Sequence, residues 1–181
     1  VAGKLCIFRD VTVERDLEKQ IRHSSNTDFL TGLYNRRCFY QYIHNNRGGR
    51  TVSLMYIDLD RFKEVNDTYG HKVGDAVLVH TADVLRRLFR DDFVARLGGD
   101  EFLVVRLGKC SMDQMEQEAE AFLKEMRTAF LAAEQTVSLS ASVGIAQSSD
   151  SMVDIDALLQ RSDQALYQAK KAGRSRYCVY R

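Results

Sequence analysis

The sequence predicts an α+β fold built on a central, mostly antiparallel sheet of five strands with flanking helices, and three observations carry that prediction. A strand–helix–strand crossover runs into an antiparallel hairpin, which is the order of a ferredoxin-like sandwich with its helices on one main face. Residues 51–59 set Val52, Leu54 and Tyr56 on one face and Met55 and Ile57 on the other, the pattern of a strand in the middle of a sheet. Gly98-Gly99 stands between the apolar runs 93–95 and 102–105, a tight hairpin because glycine accepts the positive φ values such turns demand.

Taken in order, residues 3–10 alternate enough for a strand. From Thr12, a capping residue, the period changes. Val13, Leu17 and Ile21 recur at four-residue spacing with Glu14 in the first turn, opposite the charged Arg15, Asp16, Glu18 and Lys19. So narrow and short a stripe needs a partner, either its own domain or a second copy. The polar Ser24-Ser25-Asn26-Thr27 that follows favours self-association and marks a boundary. Residues 1–25 then read as the end of one unit with a dimerisation helix, and 26–181 as the main domain.

Asp28 to Arg37 is a turn opening into a helix that carries Phe39, Tyr40 and Ile43 and ends at the glycine-bearing Asn46-Arg47-Gly48-Gly49-Arg50. After the central strand, residues 61–67 form a short helix and 69–75 a loop with two glycines. A helix with Val77, Leu78, Leu85, Leu88 and Phe89 on its buried face leads to the hairpin strands near 93–97 and 102–107. Met115, Ala119, Phe122, Leu123, Met126 and Phe130 mark one face of a long helix. A strand over 137–146 follows, interrupted by Ser142-Val143-Gly144. Ser151-Met152-Val153-Asp154 offers a capping box for a helix with Leu158, Leu159, Leu166 and Ala169 that Gly173 stops, and residues 176–180 are the last strand.

The composition narrows the function. With 45% hydrophobic and 28% charged residues, the 181-residue chain has the balance of a soluble globular domain able to bury a substantial core. A net charge of +1 gives no broad field for nucleic acid or a membrane surface, so an anionic ligand must be held locally. Cys6, Cys38, Cys110 and Cys178 form no metal or redox pair and read as reduced thiols of a cytoplasmic protein. No apolar run approaches the ~18 residues of a membrane span, and no signal peptide is visible. The chain opens on Val1 inside an apparent strand, so a longer protein, which could be membrane-tethered, is expected.

Two carboxylate clusters end two of these strands: Asp58-Leu59-Asp60 and Asp100-Glu101. An ionised carboxylate there is costly unless a cation or donors answer it. The sandwich order sets the two strands side by side, so Asp58 and Asp100 can face each other. Hard oxygen ligands of this kind suit Mg²⁺, which takes one or two carboxylates plus phosphate oxygens. The plain alternative is that Asp58 or Asp60 caps the helix starting at Arg61. Phe62 and Lys63 open that helix, where backbone N–H groups and the lysine charge can meet phosphate, though a solvated lysine fits as well. Lys170, Lys171 and Arg174 sit at a helix C-terminus, which either an anion or the helix dipole explains. Asn66 and Asp75 are ambiguous alone, and His71 in its glycine turn reads as structural. The sequence lacks a GxxxxGK[ST] run and any Ser-His-Asp or Cys-His nucleophile set.

From Asp28 to Arg181 the chain resembles the GGDEF family of diguanylate cyclases. Five motifs stand in the family's order: Asp28-Phe29-Leu30-Thr31-Gly32-Leu33-Tyr34-Asn35-Arg36; Asp58 through Asp67; Gly70-His71-Lys72-Val73-Gly74-Asp75; Arg96 through Phe102; and Ala165-Leu166-Tyr167-Gln168-Ala169-Lys170 with Arg174. The resemblance implies a fold related to the polymerase palm and the nucleotidyl cyclases, and condensation of two GTP into cyclic di-GMP with release of pyrophosphate. It implies that Asp58, the Leu59 carbonyl and Asp100 hold two Mg²⁺ ions, with Mn²⁺ as a substitute. Lys63, Lys170 and Arg174, with N–H groups near Phe62, hold the triphosphate. Asn66 and Asp75 read guanine, and Asp100 or Glu101 assists deprotonation of the attacking 3′-hydroxyl. An aspartate facing guanine accepts from N1–H and the exocyclic amine, a donor pair that adenine lacks, so Asp75 favours GTP over ATP.

One domain holds one GTP, so activity implies two copies face to face, a task for the Val13–Ile21 helix. Residues 7–12 resemble the last strand of a PAS-type sensor. Many family members carry an Arg-x-x-Asp product-inhibition site ahead of the glycines. Here Phe89 and Asp92 hold those positions and Arg90 is one place off, so weak or absent feedback is expected. A rival reading is a catalytically silent member that binds GTP or a protein partner; silent members usually lose a signature acid, and Asp58, Asp100 and Glu101 are all present.

Overall fold

The computed structural model describes residues 26–148 and 154–181. The expected strand at 3–10, the helix of Val13, Leu17 and Ile21, and positions 151–153 of the capping box lie outside the described residues. The elements are β1 Tyr34–Asn35, α1 Arg36–Asn46, β2 Val52–Leu59, α2 Phe62–Tyr69, α3 His71–Leu88, β3 Phe93–Gly98 and β4 Glu101–Leu107. They continue with α4 Met112–Met126, β5 Phe130–Ala132, β6 Gln135–Val137, β7 Ala141–Gln147, α5 Ile155–Lys171 and β8 Tyr177–Val179.

The main sheet has the order β1-β3-β4-β2-β7-β8. Its three inner pairings are antiparallel, while β1 on β3 and β8 on β7 are parallel edges. The five expected strands are all present, and the two residues of β1 add a sixth. As its two-faced pattern requires, β2 is central, flanked by β4 and β7.

Both faces of β2 are apolar, so both must be covered, and the expectation of helices on one main face gives way to two layers. On one side Val52, Leu54 and Tyr56 join Leu103, Phe93 and Ala95 under Phe39 and Ile43 of α1 and Leu158 and Leu166 of α5. On the other, Met55, Ile57, Phe102 and Val143 meet Val65 of α2, Val77 and Leu85 of α3, and Phe122 and Leu123 of α4. Gly144 marks the tightest contact between layers. A Cβ there would lie 2.0 Å from the Ser162 carbonyl oxygen and 2.3 Å from the Leu166 nitrogen, so the backbone of α5 rests directly on β7.

Four local expectations change. Residues 71–75 are the first turns of α3 rather than a loop, with Gly70 as its cap at φ 84. The helix expected through Phe130 ends at Met126, and Phe130 stays apolar because its ring stacks on His80 at 3.7 Å from the start of a separate hairpin. The strand expected over 137–146 divides between that hairpin and β7. The helix before Gly173 is present, but it starts at Ile155 with Asp154 itself as N-cap, accepting from the Asp156 N–H, rather than with Asp154 inside a capping box.

Candidate active site

The signature turn joins β3 to β4, with Gly98 paired to Glu101 and a register shift between Arg96 and Gly98. Gly98 and Gly99 have φ 145 and 52, values for which glycine is the natural residue. The Arg96 guanidinium holds this turn from outside. Its Nε and Nη2 donate to the Gly99 carbonyl at 2.9 and 2.7 Å, and its Nη1 to Asp28 Oδ1 at 2.9 Å. Asp28 also accepts from the Thr31 N–H and hydroxyl at 2.8 and 2.6 Å. Burial alone would raise the Asp28 carboxyl, but the bonds from Thr31 and Arg96 outweigh it and hold it below its ordinary range. The 28–33 turn is thereby fastened to the hairpin tip, a link that no local pattern in the sequence displays.

The two acid clusters do meet. Asp58 is the cross-strand partner of Glu101, and the Leu59 N–H donates to the Asp100 carbonyl at 3.3 Å. Lys170 from the last turn of α5 reaches Asp58 Oδ2 at 2.8 Å. Burial pushes the Asp58 carboxyl upward; Lys170 opposes that shift, and the charges of Asp100 and Asp60 add to it. Glu101 faces Tyr56 and Arg36, with the Arg36 guanidinium 3.9 Å away. Burial first and Glu101 next push the Tyr56 hydroxyl up to about 12, so it stays protonated as a donor.

The remaining candidates flank this cluster along the chain. Arg61, between β2 and α2, adopts φ 57 and turns the chain into a helix that Phe62 opens and on whose exposed face Lys63 stands. The α2 N-cap makes no side-chain bond, which removes the helix-cap explanation of the β2 acids. Asn66 is set by Gly74: a Cβ on Gly74 would fall 1.9 Å from Asn66 Oδ1, so the amide occupies the space a side chain would take. Asp75, the next residue, is exposed on α3 and is not an N-cap. Asn66 and Asp75 therefore flank one α2–α3 junction. Arg174 is exposed beyond α5 at φ 63 and lines a cleft of about 420 Å³ with Arg61, Asp60 and Tyr69.

Asp60, which the sequence offered as part of the first acid cluster or, with Asp58, as a possible helix cap, is buried and accepts from Ser140, Ser142 and Ser175. The signal was there in Ser140 and Ser142, two hydroxyls alternating at the start of an otherwise apolar strand.

Among the described residues no three or more His, Cys, Asp or Glu side chains group as a metal cage. A magnesium ion nonetheless fits the donors present. Mg²⁺ takes one or two carboxylates and completes its shell with water and phosphate oxygens. Asp58, beside the charges of Asp100 and Asp60 and answered by Lys170, is a carboxylate of the kind such an ion would take. At the positions where many family members carry the product-inhibition pair, Phe89 is buried in the core and Asp92 is held by Arg106 Nε and Nη2 at 2.8 and 2.5 Å.

Comparison with known proteins agrees with this geometry. The family model described as "Diguanylate cyclase, GGDEF domain" matches residues 25–176. Cyclic di-GMP phosphodiesterase PdeR of Escherichia coli is 38% identical over 180 residues, which is 97% of this chain and 27% of that protein. Diguanylate cyclase DgcM of Escherichia coli is 37% identical over 178 residues, covering 95% of this chain and 42% of that protein. The chain thus spans well under half the length of these relatives. The crystal structure of the coiled coil and GGDEF domain of DgcB from Caulobacter crescentus, in complex with c-di-GMP, superposes with a TM-score of 0.85 at 28% identity, covering 93% of each chain. This chain belongs to the diguanylate cyclase GGDEF-domain family.

Proposed function

We propose that this domain is a Mg²⁺-dependent nucleotidyltransferase that condenses two GTP into cyclic di-GMP and two pyrophosphate, as a homodimer with one GTP per subunit. The observation that carries the reading is the meeting of Asp58, Asp100 and Glu101 at adjoining strand ends with Lys170 on Asp58. Names among the relatives, diguanylate cyclases DgcM and DosC, support it.

In this reading Asp58, the Leu59 carbonyl and Asp100 hold the metal, which when bound lowers the pKa of the attacking 3′-hydroxyl and neutralises charge on the α-phosphate. Lys63, the N–H groups near Phe62, Lys170 and Arg174 grip the triphosphate. Asp75 accepts from guanine N1–H and the exocyclic amine, with the Asn66 amide beside it on the same base, and leaving them unpaired is what would reject adenine. Asp100 or Glu101 takes the 3′-hydroxyl proton. Two copies must face each other to close two phosphodiester bonds, and pairing of the helix expected over Val13–Ile21 would raise their effective concentration. An upstream PAS-like sensor would set that pairing, in the cytoplasm.

The match to PdeR, named for hydrolysis, supports a second reading: a silent GGDEF unit that binds GTP or a protein and regulates a neighbouring domain. One incubation with GTP and Mg²⁺ separates the two. Chromatography should show cyclic di-GMP and pyrophosphate, at a specific rate that rises with protein concentration. GTP retained without turnover at every concentration selects the silent reading, and turnover independent of protein concentration rules out the dimer.

A further inference from the structure

We infer that Asp60 is a positioning residue for the triphosphate grip: it fixes where Arg174 stands relative to the Asp58 strand end. Its side chain is 5% exposed and accepts from the Ser140 hydroxyl at 2.6 Å, the Ser142 hydroxyl at 2.7 Å and the Ser175 N–H at 3.0 Å. Its own N–H donates to the Ser140 carbonyl at 2.9 Å. One carboxylate thus ties together the end of β2, the start of β7 and the segment that follows α5.

That last segment needs such a tie. Arg174 and Ser175 have φ 63 and 50, left-handed values that non-glycine residues hold only when their surroundings impose them. Three groups impose them here. The Arg174 N–H caps the Ala169 carbonyl at 3.1 Å. Arg127, just past α4, donates Nε to the Ser175 hydroxyl at 2.9 Å and Nη2 to its carbonyl at 2.6 Å. Asp60 holds the Ser175 N–H from the opposite side. A carboxylate suits this place better than an amide, because three donors converge on its two oxygens, whereas an asparagine keeps one acceptor oxygen and forces a serine hydroxyl to turn and accept from its NH₂. Arg61, also left-handed and next to Asp60 in the chain, lines the same cleft as Arg174.

The inference rests on the reading of Arg174 as a phosphate contact, and a double-mutant cycle on the full chain tests both. A non-hydrolysable GTP analogue with Mg²⁺ is titrated calorimetrically into the wild type, Asp60→Asn, Arg174→Ala and the double variant. Asp60→Asn should bind about tenfold more weakly, the scale of one lost charge-assisted contact. In the Arg174→Ala background the same change should cost less than about twofold, since the residue it positions is gone. Arg127→Gln, at an exposed site, should show the same background-dependent loss at smaller size, and it decides the matter if Asp60→Asn does not fold. Equal losses in both backgrounds, or unchanged affinity in Asp60→Asn, overturn the positioning role alone. Undiminished affinity in Arg174→Ala overturns the phosphate contact and the positioning role with it.

Discussion

Replacing Arg96 with methionine keeps the side-chain stem and removes the guanidinium that joins the signature turn to Asp28. The wild-type pair is well shielded, with side chains 10% and 17% exposed, so screening by water discounts it little. Three hydrogen bonds are lost, two of them to a single carbonyl, and Asp28 keeps the two from Thr31. Charge-assisted bonds contribute about 1.5–3 kcal/mol each, and the shared acceptor and surviving Thr31 bonds bring the expected net loss to about 2–3 kcal/mol. For a domain of this size that is a fall in melting temperature of roughly 4–12 °C, read by thermal unfolding followed by circular dichroism.

The pH dependence gives an independent check. The Asp28 carboxyl lies below its ordinary 3.8 in the folded state, so its contribution is fully present above that value and is lost as pH falls through the folded value. The gap between wild type and variant should therefore be widest near neutrality and narrow in acid as the Asp28 share is lost, while the share from the two bonds to the Gly99 carbonyl remains. A loss under about 0.5 kcal/mol, within the range of an ordinary surface change, would refute the clamp. So would a gap that persists undiminished at low pH.

Three further outcomes follow from the site. Asp75→Ala should erode the preference for GTP over ATP in competition binding while leaving Mg²⁺ affinity in place; equal losses for both nucleotides would contradict the guanine assignment. Gly74→Ala would set a Cβ 1.9 Å from Asn66 Oδ1 and so should evict the Asn66 amide, weakening GTP binding by about tenfold. It should hardly change unfolding, since alanine favours the helix by about 1 kcal/mol over glycine. Cyclic di-GMP should not inhibit through the surface of Phe89 and Asp92, and Phe89→Arg, which buries a guanidinium, should cost about 3–5 kcal/mol in urea unfolding instead of creating inhibition. Tight product binding abolished by Asp92→Ala would show that the Arg106 pairing does not close that surface.

The sequence was most readable where one residue's environment is set by its immediate neighbours. The alternation in 52–59 placed β2 at the centre, and the glycine pair placed the hairpin. Asp58 and Asp100 could be paired because strand order alone brings them together. What stayed hidden depends on partners far along the chain. Gly74 looked like a helix breaker, yet it lies inside α3 because Asn66 needs its missing side chain. Phe130 continued a helical stripe but belongs to a hairpin, its ring stacked on His80. Asp60 is tied to its partners only by the fold: Ser140 and Ser142 carried a hint, but its three donors come from residues 80 to 115 positions away.

The bare contact at Gly144 sets a limit on how this domain can respond to a signal. With no side chain as a cushion, α5 cannot slide across β7 without driving its own peptide groups into the strand. Lys170, carried on that helix, therefore keeps its station over Asp58 as though both were cut from one block. A signal therefore has no room to act by shifting this helix over this strand, because the slack for that adjustment has been packed out.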